Sequence, residues 1–290
     1  MASRPVRAVS RGTLCVIGGA EDRTGDRVVL REFLDLAGGE GARVAVLATA
    51  SSLGPEVLDA YDETFRGLGA ADVLRLRPDT RAEAEDPDLA AALADVDAVF
   101  MTGGNQLKLA GAVAGTAFGA AILAAYDRGA VVGGTSAGAS VVSEHMIAFG
   151  DDIDSPRQGT TASAAGLGLL PDVVVDQHFA QRDRYPRLLS LIARSPRLLG
   201  VGIDEDTAAV VRGGRDLEVV GAGCVLVVDA THAVSDAHLA ELGAPLLVSG
   251  AVVHSLPAGA RFDLVERRLV SFVETHLAHQ LVHQTEEDDA

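Results

Sequence analysis

Ser136 stands between Gly134 and Gly138 in the run VVGGTSAGASVVSEHM, where an apolar strand-like stretch gives way to a helix-like one. The pattern Gly134-Thr135-Ser136-Ala137-Gly138 is a G-x-S-x-G turn, a nucleophile elbow in which small neighbours let the chain fold back and raise a hydroxyl at a sheet edge. A serine hydroxyl attacks a carbonyl only when a base takes its proton, so the turn predicts a histidine downstream. Of the eight histidines, His178 is best placed: it follows the strand-like run PDVVVDQ and should emerge at the same sheet edge. His145 shares the helix after Ser136, and His232, His238 and His254 follow late strands or loops. His276, His279 and His283 fall on a helix-like terminal segment, where a solvated face is the ordinary explanation.

A third, acidic member should orient the imidazole and stabilise its charged form. Candidates between serine and histidine are Glu144, Asp151, Asp152 and Asp154. Asp154 is favoured because a loop just beyond the helix after Ser136 can return to the sheet edge. The oxyanion formed on attack needs preorganised N–H donors. Ala137 supplies the first, and Gly104 in MTGGNQ the second, since glycine lets backbone approach substrate closely. A plain turn with Asn105 as helix cap would account for the same residues. Arg182, Arg184 and Arg187 arrive just after His178 in DQHFAQRDRYPRLL. Guanidinium groups clamp carboxylates bidentately, so their position implies an acidic substrate group near the scissile bond. In isolation they would read as a salt-bridged helix start.

The elements that must carry these groups alternate strand and helix. TLCVIGG, DRVVLREFLDLAG, RVAVLATA, EVLDAYDETFRGLG and DVLRLRP set a βαβαβ rhythm. Further strands are expected at DAVFMTGG, AVVGGT, PDVVVDQH and LLGVGID. The expected fold is α/β: a mostly parallel, doubly wound sheet with helices on both faces. After Gly200, TAAVVRG, DLEVVGAG and CVLVVDA read as an antiparallel meander that completes the same sheet or forms a small flanking one. The segment from Arg261 to His283 reads as helix, ending in the acidic tail TEEDDA. One domain is expected over 1–290, with frayed ends near 1–11 and 284–290. Ligands gather at the carboxyl ends of parallel strands. Four polar or glycine-bearing loops fall there: Gly18 to Asp22, Gly103 to Gln106, Gly133 to Gly138, and Asp176 to His178.

Length and composition narrow the chemistry. With 290 residues, 48% of them hydrophobic, the chain can bury a large core. No apolar run approaches the ~20 residues of a membrane span, and the N-terminus lacks an apolar leader core, so a cytoplasmic location and no membrane partner are expected. A formal charge of −17 disfavours nucleic acid, which needs a basic face. Cys15 and Cys224 sit in strand-like runs as small hydrophobes, and no metal site is expected of them.

With these residues in place the chain resembles the cyanophycinase family, serine exopeptidases related to aspartyl dipeptidase, with a fold like the class I glutamine amidotransferases. The resemblance runs through GTLCVIGGAEDR, FMTGGNQLKL, GGTSAGAS, DQHFAQRDRYPRLL and GVGIDEDTAAVV, most of the chain. DQHF with its spaced arginines is far more specific than G-x-S-x-G. The family cleaves cyanophycin, a polyaspartate with arginine on each β-carboxylate, to β-Asp-Arg dipeptides. The resemblance implies Ser136 as nucleophile, His178 as base, and Gln106, Gln177, Arg182, Arg184 and Arg187 as substrate contacts. It also implies a homodimer acting on cyanophycin or a β-aspartyl peptide, with no cofactor. The family's third catalytic residue is a glutamate, whereas this loop reads GDDIDSPR, which puts Asp154 in that place. Asp204 and Glu205 in GIDEDTA match the family and are read as a structural turn.

Three other readings compete. A glutaminase of amidotransferase type wants cysteine at the elbow. A serine peptidase for aspartyl or isoaspartyl dipeptides would share Ser136 and His178 and differ in the clamp. A phosphate-binding module would leave His178 dispensable.

Overall fold

The computed structural model of the chain describes residues 12–150 and 153–272. The ends expected to fray, the candidates Asp151 and Asp152, and His276, His279 and His283 lie outside the described residues.

The first half of the chain keeps the strand-helix rhythm. β1 (Thr13–Ile17) leads to α1 (Val28–Leu36), β2 (Arg43–Leu47), α2 (Glu56–Leu68) and β3 (Asp72–Leu76). Two short helices follow, α3 (Arg81–Ala84) and α4 (Pro87–Ala91), and then β4 (Ala98–Met101). α5 (Gln106–Val113) and α6 (Ala117–Arg128) precede β5 (Val131–Thr135) and the one-turn helix α7 (Ala137–Ser140). Side chains cap these helices where the sequence offers them. Asn105 accepts from the N–H groups of Leu107 and Lys108 at α5, and Thr116 from Gly119 at α6.

Strands dominate the second half. β6 (His145–Gly150) and β7 (Thr161–Ala165) form a hairpin-like pair. β8 (Val173–Gln177) leads through a 3-10 turn, Ala180–Arg182, into α8 (Tyr185–Arg194) and β9 (Leu199–Ile203). Then come β10 (Thr207–Arg212), β11 (Asp216–Gly221), β12 (Cys224–Asp229), the short pair β13 (Val234–Ser235) and β14 (Val248–Ser249), β15 (Val252–Pro257), β16 (Ala260–Asp263) and β17 (Arg268–Phe272).

The fold is α/β around a large mixed sheet of nine strands, ordered β17-β16-β11-β10-β1-β5-β4-β2-β3. From β1 to β3 its pairs are parallel, and from β1 to β17 antiparallel. Strand residues alternate between two cores. Cys15, Ile17, Val44, Val46, Ala98 and Phe100 pack with Phe33 of α1 and Tyr61 and Phe65 of α2. Leu14, Val16, Ala45, Leu47, Val99 and Met101 pack on the other face with Leu109 of α5 and Phe118 and Ile122 of α6. This is why the parallel strands are apolar at nearly every position: both faces are covered. Each fully buried Phe or Leu contributes about 1.5–3 kcal/mol relative to exposure.

Two expectations need correction. PDVVVDQH and LLGVGID do not join the main sheet. As β8 and β9 they belong to a second sheet, β15-β12-β9-β8, with only β8 and β9 parallel. One face of that sheet packs into the core containing β10 and β11, and the other lies under Leu188, Leu189 and Ile192 of α8. The segment expected to be helical from Arg261 is, as far as it is described, the antiparallel pair β16 and β17. There Phe262 is buried and Arg261 exposed, a strand alternation. No single described helix is long and apolar enough to cross a membrane.

Candidate active site

Ser136 sits on the turn from β5 into α7 with φ 53° and ψ −108°, a region that costs a non-glycine residue about 1–3 kcal/mol. The turn is possible because its neighbours lack side chains. A Cβ on Gly134 would lie 2.5 Å from the Gly138 carbonyl carbon, and one on Gly138 would lie 2.2 Å from the Met101 oxygen. The Ser136 N–H donates to Ile17 O at 3.0 Å, anchoring the turn to the end of β1.

His178 comes from the second sheet, at the end of β8, rather than from the edge that carries Ser136. Two contacts bring it across. Its N–H donates to Gly18 O at 2.7 Å, and its ring lies where Gly19 leaves room, since a Cβ there would be 2.2 Å from Cε1. The serine helix is tied to β8 as well: Gln177 Nε2 donates to Ser140 Oγ at 3.2 Å, and Val175 N–H to Ser143 Oγ at 3.2 Å. The result is a hydrogen-bonded line. His178 Nε2 lies 2.9 Å from Ser136 Oγ, and Nδ1 lies 2.6 Å from Glu205 Oε1. Burial holds the His178 pKa below the ordinary 6.5, with Arg182 and Arg184 acting in the same direction and the Glu205 hydrogen bond and charge opposing. The neutral ring that results can accept a proton at neutral pH.

The contact expected of Asp154 is therefore made by Glu205. Asp154 and Glu144 are exposed, and Asp154 lines a separate cavity of about 430 Å³ with Arg182, Arg184 and Arg187. Glu205 escaped the sequence reading because the acid was sought between serine and histidine, whereas it follows both. A signal was available. β8 and β9 pair in parallel with Gln177 opposite Ile203, so the residues just past each strand emerge side by side. Asp204 and Asp206 brace that loop: Asp204 accepts from Ala180 N–H and Cys224 N–H, both at 3.0 Å, and Asp206 from Asp22 N–H at 2.9 Å.

The expected substrate contacts are arranged otherwise. Arg187 makes a two-point pair with Asp176, Nε to Oδ2 at 2.7 Å and Nη2 to Oδ1. Arg184 donates to the Gln177 carbonyl and side-chain oxygens and lies 3.4 Å from Asp176 Oδ1. Asp176 is 0% exposed. Gln106 Nε2 donates to the carbonyls of Ile147 and Ala148 at 3.1 and 2.9 Å, holding β6. These polar groups are engaged within the protein, and only Arg182 of the trio is exposed.

A cleft of about 490 Å³ opens on Ser136, lined by residues of three of the four expected loops, among them Glu21, Gly103, Gly104 and Thr135. Gly103 packs on the serine: a Cβ there would be 3.4 Å from Ser136 Cβ. Asn105 caps α5 directly after Gly104, so the turn-and-cap account of this loop holds. Glu21 is buried against the cleft wall, its two oxygens accepting from Tyr61 Oη and Thr135 Oγ1. Burial and the Glu21 charge push the Tyr61 pKa far up, keeping its hydroxyl protonated as donor.

A hydroxyl, an imidazole and a carboxylate in hydrogen-bonded line on an α/β scaffold define the class of serine hydrolases. The sequence from 14 to 219 matches peptidase family S51, and the chain belongs to that family. Proteins named cyanophycinase from Geminocystis herdmanii and Trichormus variabilis are 40% and 38% identical to it over 256 and 267 residues. These matches cover 87% and 91% of this chain and 94% and 89% of theirs. A crystal structure of a peptidase from an acI-B1 Actinobacterium shares the fold, with TM-score 0.62 and 21% identity over 88% of this chain and 98% of its own.

Proposed function

We propose that the chain is a serine exopeptidase that hydrolyses cyanophycin to β-Asp-Arg dipeptides through an acyl-enzyme. The observation that carries the mechanism is the line from Ser136 through His178 to Glu205. The substrate follows from the relatives named cyanophycinase, which match along most of their length.

In this reading Ser136 Oγ attacks an α-peptide carbonyl while its proton passes to His178 Nε2, and Nδ1–H donates to Glu205, which stabilises the imidazolium. The N–H groups of Ala137 and Gly104 take the oxyanion, the first on the elbow itself and the second beside Gly103, which touches Ser136. His178 then gives its proton to the departing amine, and a water activated by the same ring releases the acyl group. Arg182 is the member of the trio left to meet an anionic substrate, while Arg184, Arg187, Gln106 and Gln177 hold the walls. The proposal includes a single domain working as a cytoplasmic homodimer. Cys15 and Cys224 as free thiols fit a reducing compartment.

Purified protein incubated with insoluble cyanophycin should clear the suspension and release β-Asp-Arg by mass, and Ser136→Ala should do neither. Clearing by Ser136→Ala, or none by the native protein, would overturn the reading.

A further inference from the structure

The cleft beside Ser136 contains a cation that the proposed mechanism does not use. Arg23 lines it, together with Ser51, Ser52 and Tyr61. Its guanidinium carbon lies 5.5 Å from the centre of the Tyr61 ring, within the range of a cation–π contact that fixes a flexible side chain in place. Tyr61 is itself fixed, since its hydroxyl donates to Glu21, which also accepts from Thr135, the residue before the serine. A chain of contacts thus runs from the residue next to Ser136 out to an exposed guanidinium at the cleft wall.

Charge bears on what that arginine can bind. The sequence has 41 acidic residues to 24 Lys and Arg, and about half of the described arginines pair with carboxylates, as Arg75 does with Asp59 and Arg215 with Asp263. Among the described residues Arg23 has no carboxylate within ion-pair distance. The nearby acid, Glu21, is buried and has both oxygens engaged. The tyrosine ring face leaves the guanidinium's edge donors available to a planar oxyanion. In the proposed substrate each arginine attached to a β-carboxylate keeps its own α-carboxylate free, so the polymer offers such a group on every residue.

We propose that Arg23 determines specificity by taking a free carboxylate of the substrate residue seated in the cleft beside Ser136. This rests on the reading of Ser136 as nucleophile and of a cyanophycin-type substrate. Such a contact is made equally in ground and transition states, so it sets KM rather than kcat.

The test compares a soluble β-Asp-Arg oligomer with the same oligomer carrying arginine amides in place of arginine carboxylates. The native enzyme should prefer the carboxylate form by roughly tenfold in kcat/KM, mostly through KM, the order expected of one charge-assisted contact in a partly wet site. Arg23→Gln should bring the two substrates near parity, chiefly by raising KM for the carboxylate oligomer, and Arg23→Lys should keep part of the preference. Arg23 is exposed, and an unchanged thermal midpoint would show that the variants fold. Equal rates on both oligomers by the native enzyme, or a preference that survives in Arg23→Gln, would overturn the inference while leaving the peptidase assignment standing. No cleavage of either oligomer would instead sink the substrate assignment, and this inference with it.

Discussion

At the end of β8 two polar clusters start two residues apart. Asp176 is wholly buried, and its carboxylate is held by Arg187 at two points and approached by Arg184. His178 has left-handed backbone, φ 48°, and its ring, with the side chain only 11% exposed, lies between a strained serine and a glutamate whose side chain is 35% exposed. Closure marks the first cluster, where ionised groups meet inside the protein and hold the start of α8 against β8. The second is open: its serine lines a cleft, and its histidine is kept neutral by burial. A buried ion pair that satisfies itself is a brace, and a hydrogen-bonded line that ends at a solvent-facing hydroxyl is equipped to react. The arginines beside His178 therefore do not declare their role by position alone.

The largest expected effect that tests this contrast is on the open side. Glu205→Gln should lower kcat by roughly 10²–10⁴-fold, because the amide no longer compensates the imidazolium charge, with little change in thermal midpoint. On the closed side the signs reverse. Asp176→Leu should destabilise the fold by about 3–5 kcal/mol, since it leaves guanidinium charge buried without its partner, read as a lower denaturant midpoint at constant slope. Adding Arg187→Met to Asp176→Leu should recover much of that loss, as replacing both members of a buried pair with apolar groups is often neutral.

Smaller and more diagnostic is the pH response. Activity needs the neutral ring, and burial sets the His178 pKa below 6.5, so the acidic limb of kcat/KM should lie below pH 6.5, with activity falling as pH drops through it. Glu205 raises that pKa, so the residual activity of Glu205→Gln should have its limb at still lower pH. A limb above pH 6.5, or one that moves upward in the variant, would contradict the assignment. The smallest effect belongs to Asp154→Ala, which should leave kcat and the pH profile unchanged.

Local placement was readable in the sequence wherever a short motif and a strand end coincide. The meeting of Ser136 with His178 was legible because Gly134 and Gly138 flank the serine after one strand-like run and His178 directly follows another, PDVVVDQ. The parallel half of the main sheet was legible from runs such as RVAVL and AVFM, apolar on both faces. Pairing was not. PDVVVDQ and LLGVGI look like main-sheet strands, because an apolar run reports burial and says nothing of its neighbour, and the missing partner of His178 depended on that pairing. Phe262 and Leu264 fit a strand as well as a helix in ARFDLVERRLVSF, where charges hide the alternation. The engagement of Arg184 and Arg187 by Asp176 needed three-dimensional distances that spacing along the chain does not encode.

Labelling with a serine-directed fluorophosphonate, mapped by mass, probes the central claim most directly. The account predicts one modified residue, Ser136, at a rate that collapses in His178→Ala and falls in Glu205→Gln. Modification at another residue, or an unchanged rate at Ser136 in His178→Ala, would contradict it.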